Sequence, residues 1–242
     1  MKVSSTELQN NFGKYLMLAS QENIIITRNG MEIAKLMAFR ERDQLPGTVL
    51  EKAEAYGWYG GREASYEEFL ELTKDVEERF EYIDGEIYLL ASPKTAHQVA
   101  LAELFGIFYN WFQNKECIPL VAPYDITLSR YKENINIVQP DIMVICDLEE
   151  KLGEDDYYKG VPALVVEIIS ESTRSKDLIK KLDLYISCAI GEYWIVNPIN
   201  KEVTVYYFAD KNIVSHSTYR KSETARSCLF AGLEAELDRI FK

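Results

Sequence analysis

Two carboxylates stand where strand residues are ordinarily apolar. In VQPDIMVICD, residues 138–147, Asp141 follows Pro140 inside a hydrophobic, β-branched run, and in ALVVEIIS, residues 163–170, Glu167 does the same. Strand alternation puts Glu167 on one face with Val165 and Ile169. An isolated carboxylate there would cost roughly several kcal/mol or be protonated. A buried ion pair with Arg or Lys is one remedy. A cation shared by both acids is another, because two neighbouring carboxylates repel unless positive charge lies between them. Oxygen-only ligands select Mg²⁺ or Mn²⁺ over zinc, and no His or Cys cluster offers a competing soft site. The expectation is a metal shared by Asp141 and Glu167.

A cationic candidate follows in SKDLIKKLDLYISCA, residues 175–189. Leu178, Leu182, Tyr185 and Ala189 form an apolar stripe at helical spacing. Lys181 borders that stripe, and Lys180 falls on the far side. A lysine beside the core, near two acids, could orient a water or balance developing phosphate charge. The alternative is a lysine that snorkels to solvent beside Asp177, four residues earlier. Lys176 is the next cation available.

The elements that must position these residues are readable. SYEEFLELT begins a helix with Ser65 as N-cap. RFEYIDGEIYLLAS is a hairpin turning at Asp84-Gly85. TAHQVALAELFGIFYNWFQNK is a long amphipathic helix. IPLVAPYDITLS, IVQPDIMVIC, ALVVEIIS, EYWIVNP and EVTVYYFAD supply strands. The order predicts an α/β (α+β) fold with a mixed central sheet flanked by helices.

The start of the chain reads as a separate β-α-β-β module. Ser4 and Glu7 fit a capping box. Leu8, Phe12, Tyr15, Leu16 and Ala19 make an apolar stripe, with Gly13 a weak point at about 1 kcal/mol. Asn29-Gly30 marks a hairpin, with Met31 and Ile33 on one side and Glu32, Ala34 and Leu36 on the other. A unit this small cannot hide its stripe and is expected to dimerise. Pro46-Gly47 and Gly60-Gly61 are breakers, with a short helix expected between them in TVLEKAEAYGWY. The expected domains are residues 1–45, a linker 46–61, and 62–242.

At 242 residues the chain can bury a substantial core. No apolar run reaches the roughly 20 residues of a membrane span, and the N-terminus turns polar at once, so the cytoplasm is the expected compartment. Cys117, Cys146, Cys188 and Cys228 form no CxxC pair and are expected as free, mostly buried thiols. A net charge of −12 argues against binding nucleic acid by charge alone. Residues 1–45 hold six basic and five acidic side chains, and the remainder holds 21 and 34, so the two parts differ electrostatically.

VSSTELQNNFGKYL followed by IIITRNGMEIAKLMAF resembles the N-terminal domain of Phd/YefM-type antitoxins. The resemblance implies dimerisation, operator DNA binding and a toxin or regulatory partner. Lys2, Lys14, Arg28, Arg40 and Arg42 would be the phosphate contacts.

RFEYIDGEIYLLASPKTAHQ, QPDIMVICD, GVPALVVEIISESTRSKDLIKKLDLY, GEYWIVNP and LFAGLEAEL resemble the Uma family of restriction-endonuclease-like proteins, within the PD-(D/E)XK nuclease superfamily. This resemblance implies Mg²⁺-dependent phosphodiester hydrolysis. Carried over, Pro140-Asp141 is the PD element and Glu167 the second acid. Glu81 becomes an additional acidic metal ligand, and His97 occupies a position where the family often has His and would contact substrate. The usual Lys two residues after the second acid is Ile169 here, so Lys181 would be its migrated substitute. Glu171 and Ala163 replace a usual Pro and Asp near the strand.

The expectation is thus an Mg²⁺- or Mn²⁺-dependent endonuclease, with DNA as substrate and a homodimer or higher homo-oligomer as its form. Asp141, Glu167, Lys181 and Glu81 would be catalytic. The alternative is a non-enzymatic, antitoxin-like regulator whose nuclease-fold domain only binds.

Overall fold

Gln139-Pro140 breaks what reads in sequence as one apolar strand. β-structure runs from Ile135 to Val138, stops, and resumes from Ile142 to Ile145 in a different sheet. Proline has no N–H to give a ladder, so a central strand ends there. Asp141 therefore sits on a crossover between two sheets and not within a continuous strand. IPLVAPYDITLS divides in the same way, into Ile118–Val121 and Ile126–Ser129, one strand per sheet.

The computed structural model describes residues 2–10, 15, 24–28, 31–36, 61–74, 76–170 and 176–242. The chain divides into two compact units, Met1–Thr48 and Val49–Lys242.

In the first unit, β1 (Lys2–Ser4) leads into α1 (Ser5–Asn10), followed by β2 (Ile24–Arg28) and β3 (Met31–Leu36). β1 and β2 are parallel, and β2 and β3 antiparallel. The Ser4 hydroxyl accepts from the Glu7 amide at 3.1 Å, the first half of the expected capping box. The Glu7 carboxylate accepts from the Tyr15 hydroxyl at 3.2 Å. Val3, Tyr15 and Ile24 form a small core flanked by Leu8, Ile26 and Leu36. Met31 and Ile33 are exposed. Phe12, Gly13, Leu16, Ala19, the expected Asn29-Gly30 turn and the helix expected in residues 48–59 lie outside the described residues.

The second unit opens with β4 (Arg62–Glu63) and α2 (Tyr66–Thr73), which Ser65 and Glu68 close with a reciprocal capping box. β5 (Phe80–Ile83) and β6 (Glu86–Leu89) form the expected hairpin. Asp84 and Gly85 both have positive φ, as a two-residue hairpin turn requires. The long helix α3 spans Thr95–Phe112. Then come β7 (Ile118–Val121), β8 (Ile126–Ser129), β9 (Ile135–Val138), β10 (Ile142–Ile145), the short α4 (Leu148–Lys151) and β11 (Leu164–Ile168). A π-helical turn, Lys176–Lys181, runs into α5 (Leu182–Ser187). β12 (Glu192–Asn197), β13 (Glu202–Ala209), β14 (Asn212–Arg220), β15 (Thr224–Arg226), β16 (Glu234–Glu236) and α6 (Leu237–Ile240) complete the unit.

One sheet has the order β14-β13-β12-β11-β10-β7, antiparallel except for the parallel β11–β12 pair, and is the expected mixed sheet. A second, antiparallel sheet has the order β4-β6-β5-β9-β8. The first sheet is covered on both faces, which is why its central strands read as unbroken apolar runs. On one face Ala100, Leu104, Phe108 and Phe112 of α3 pack against Ile142, Val144, Val166 and Trp194. On the other, Met143, Ile145, Val165 and Tyr193 meet Ile83, Ile126 and Val138 of the second sheet and Leu184 and Tyr185 of α5. α5 ends at Ser187, so Ala189, with φ of 63°, lies beyond the helix and not on its stripe.

The cysteines depart from expectation. β7 and β10 pair with Ile118 opposite Ile145, which places Cys117 opposite Cys146, and the two form a disulfide. Cys188 is a buried free thiol and Cys228 an exposed one. Twenty-nine residues separate the bonded pair, so only strand register brings them together.

Candidate active site

Antiparallel pairing of Ile142 with Val166 and Met143 with Val165 brings Asp141 opposite Glu167. The third acid, Glu81, comes from the second sheet. It alternates with Phe80 and Tyr82, which pack around Phe69 on the outer face, so Glu81 points with Ile83 into the layer between the sheets. Glu81 is fully buried and Glu167 is 4% exposed.

Lys181 provides the buried ion pair that the sequence offered as one remedy for Glu167. Its Nζ lies 2.6 Å from Glu167 Oε1 and 2.7 Å from Glu81 Oε1, and the residue is 2% exposed. The snorkelling alternative is thereby excluded, because the side chain enters the protein instead of leaving it. Tyr185, one turn further along, donates its hydroxyl to the same Glu167 Oε1 at 2.6 Å. Its ring packs edge-on against Tyr193 at 5.0 Å. The Gln139 amide donates to Glu81 Oε1 at 2.9 Å. A lysine stands between the two buried glutamates, and hydroxyl and amide donors add to it. The side chains of Lys176, Asp177 and Leu178 lie outside the described residues, as do residues 171–175.

Asp141 is compensated differently. Its Oδ2 accepts from the Ile168 amide at 2.7 Å and lies 3.2 Å from His97 Nε2. His97, near the start of α3, is mostly buried and faces the site, so it is not a helix-surface histidine. Its Nδ1 is buried without a hydrogen-bond partner. The structure thus brings Asp141, Glu167, Lys181, Glu81 and His97 to one place.

Lys180 is not on a bare outer face. Its Nζ lies 2.6 Å from Glu86 Oε1 and 5.4 Å from the centre of the Tyr88 ring. Tyr88 donates to Glu86 Oε2 at 2.6 Å, and burial, then this bond, pushes its phenol far above the usual range. In the first unit Lys2 and Arg28 are exposed on β1 and β2, while Lys14, Arg40 and Arg42 lie outside the described residues.

Two residues of consequence escaped sequence reasoning. Tyr185 reads as one more member of an apolar stripe. Its OH, on the side of the helix that carries Lys181, was the available signal. Glu192 is a further fully buried acid in β12. Its oxygens accept from Trp194 Nε1 at 2.6 Å and from the Cys228 and Leu229 amides at 2.7 and 2.8 Å, so it anchors the C-terminal segment away from the site.

A cleft of 540 Å³ opens over the cluster, lined by Glu81, Asp141, Glu167, Lys181 and His97, with Arg79 and Lys94 among its walls. Among the described residues, no group of three or more His, Cys, Asp or Glu side chains is arranged to hold a metal by itself. Mg²⁺, however, commonly takes only one or two carboxylates and completes its octahedron with water and substrate phosphates. The hard oxygens of Asp141 and Glu167 beside an open cleft fit that mode.

The mixed α+β architecture is restriction-endonuclease-like. A crystal structure described as "a putative nuclease belonging to DUF820" from Anabaena variabilis superimposes with a TM-score of 0.58 at 17% identity, covering 72% of this chain and 96% of that one. More specifically, the chain belongs to the Uma2 family, described as "Putative restriction endonuclease", whose model matches residues 66–238. Residues 1–52 match the model described as "Antitoxin Phd_YefM, type II toxin-antitoxin system". The uncharacterized protein slr1290 of Synechocystis is 28% identical over 147 residues, which is 60% of this chain and 75% of that protein. Among the described residues no helix is long and apolar enough to cross a membrane.

Proposed function

We propose that the second unit is an endonuclease that hydrolyses phosphodiester bonds in DNA, with Mg²⁺ or Mn²⁺ held by Asp141 and Glu167. The observation that carries this reading is the meeting of Asp141, Glu167 and the buried Lys181 in one cleft, where Asp141 Oδ2 accepts the amide of Ile168, the residue after Glu167. Bound there, the metal would supply a polarised phosphate and a water of lowered pKa. The protein's own residues do the rest. Lys181 and Tyr185 both donate to Glu167 Oε1 and fix its orientation. The Ile168 amide fixes Asp141, and His97, in the tautomer with its proton on Nε2, donates to the same carboxylate. Glu81 holds Lys181 from the opposite sheet, which makes it a positioning residue in this structure and, in our reading, an additional ligand only on rearrangement. Arg79 and Lys94 in the cleft wall offer positive charge to the strand's phosphates. The first unit would dimerise the chain or place it on DNA, with Lys2, Lys14 and Arg28 toward phosphate, and could engage a toxin.

The match of residues 1–52 to antitoxins favours a second reading, a non-enzymatic regulator in which the nuclease fold only binds. One experiment separates the two. Wild type and Asp141→Ala are incubated with duplex DNA, single-stranded DNA and RNA, in Mg²⁺, Mn²⁺ or EDTA. Metal-dependent cleavage by wild type alone supports hydrolysis, and intact substrates throughout would leave the regulator.

A further inference from the structure

A second cavity, of 460 Å³, adjoins the cleft and shares Pro123 and Gln139 with it. Its other lining residues are Tyr124, Asp125, Asp155, Asp156 and Tyr157. The acids make it unfit for a phosphate, and the rings make it fit for something flat. The Tyr124 and Tyr157 rings are stacked, with centroids 6.4 Å apart and an interplanar angle of 26°. Tyr124 is fixed because its hydroxyl accepts the Tyr158 amide at 2.9 Å. Tyr157 is half exposed, and the Lys159 Nζ, paired with Asp155 at 2.7 Å, lies 5.6 Å from its ring centre.

Gln139 ties this cavity to the catalytic cluster. Its backbone amide donates to Glu81 Oε1, and its side-chain Nε2 donates to Asp125 Oδ1 at 2.8 Å. Asp141 follows two residues later on the same crossover. The Gln139 Oε1 is buried without a hydrogen-bond partner, an unsatisfied acceptor on a residue that lines both cavities.

We infer that this cavity receives an unstacked guanine base of the DNA strand lying in the cleft; the inference rests on the nuclease reading. In the cleft Arg79 and Lys94 offer contacts to phosphate beside the acids Glu81, Asp141 and Glu167, and in the second cavity the tyrosines with Asp125 offer a surface suited to a base. Every base has a face that stacks on an aromatic ring, so stacking alone is sequence-tolerant. The acceptors decide the edge. A carboxylate with two oxygens matches two adjacent N–H donors, and guanine presents them at N1 and N2. Adenine and cytosine offer a single amino group, and thymine offers two acceptors around one N–H.

The test measures binding, not cleavage. Fluorescein-labelled eight-nucleotide DNA strands carrying a single guanine, or an adenine, thymine or abasic site at that position, are titrated with the full chain in EDTA and followed by anisotropy. The guanine strand should bind about tenfold or more tightly than the abasic one. Tyr157→Ala and Asp125→Asn should each remove most of that preference while leaving the abasic affinity unchanged. Free GMP should compete with the guanine strand if the cavity recognises the base itself. Equal affinity for guanine and abasic strands, an equal preference for adenine or thymine, or a preference that survives Tyr157→Ala would overturn the assignment. A protein that discriminates guanine yet cleaves no DNA would sustain the base cavity and refute hydrolysis. One that cleaves with no base preference would do the reverse.

Discussion

The Nζ of Lys181 lies 2.6 Å from Oε1 of Glu167, with both residues buried. They stand fourteen positions apart, on a helix and a strand. With Glu81 at 2.7 Å from the same nitrogen, one cation balances an acid from each of two sheets. Lys181 is thus a structural keystone as well as a candidate catalytic group.

Lys181→Met should therefore do more than lower activity. It strands two buried carboxylates, and breaking a buried pair from one side costs about 3–5 kcal/mol. Urea denaturation should show that loss. The triple variant Lys181→Met, Glu81→Gln, Glu167→Gln should recover most of it, since no unpaired charge remains. A single variant as stable as wild type would contradict the buried geometry.

Divalent metal should raise the melting temperature of the wild type, since a ligand that binds only the folded state stabilises it by mass action. Asp141→Ala and Glu167→Ala should each lose most of that shift. Identical shifts in all three proteins would remove the shared-metal proposal.

Glu192→Ala should separate structural from catalytic acids. It leaves three N–H donors without their acceptor, at roughly 1–3 kcal/mol for each buried group left unsatisfied. The thermal midpoint should fall while the metal-induced shift stays at its wild-type size. Loss of that shift at constant fold would place Glu192 in the site instead.

Thiol titration reads the cysteine arrangement. With the disulfide intact, Cys228 should react with a thiol reagent at pH 8, and Cys188 should not, because burial pushes its thiol up to about 11. Unfolding without reductant should expose two thiols, and with reductant four. The raised value has a sign for stability. The unfolded thiol, near 9.0, ionises first, so the Cys188 contribution is full below about pH 9 and declines as pH rises toward about 11. Replacing Cys188 with Ala should flatten that decline.

Deleting residues 1–45 should lower the oligomeric state measured by light scattering while the second unit stays folded. Among the described residues of the first unit the buried core is Val3, Tyr15 and Ile24, and Met31 and Ile33 are exposed at 71% and 54%. An unchanged mass would assign the main interface to residues beyond 45.

Local rules and chain order were enough to read much of this protein from its sequence. The Ser65 cap, the Asp84-Gly85 turn and the extent of α3 depend on neighbours a few residues apart, and periodicity reports them. The anomalous acids were also visible, because Asp141 and Glu167 violate the apolar pattern around them. What compensates those acids was not. Glu81, Glu167 and Lys181 meet only because two sheets and a helix converge, and no spacing in the chain encodes a contact between Glu81 and a lysine one hundred residues later. The same holds for Cys117 and Cys146, joined by strand register, and for the crossover at Pro140, which sends one apolar run into two sheets. Sequence determined which residues could do chemistry, through local propensity and pattern. Tertiary structure alone decided which of them share charge, because burial and opposite sign act through space and not along the chain.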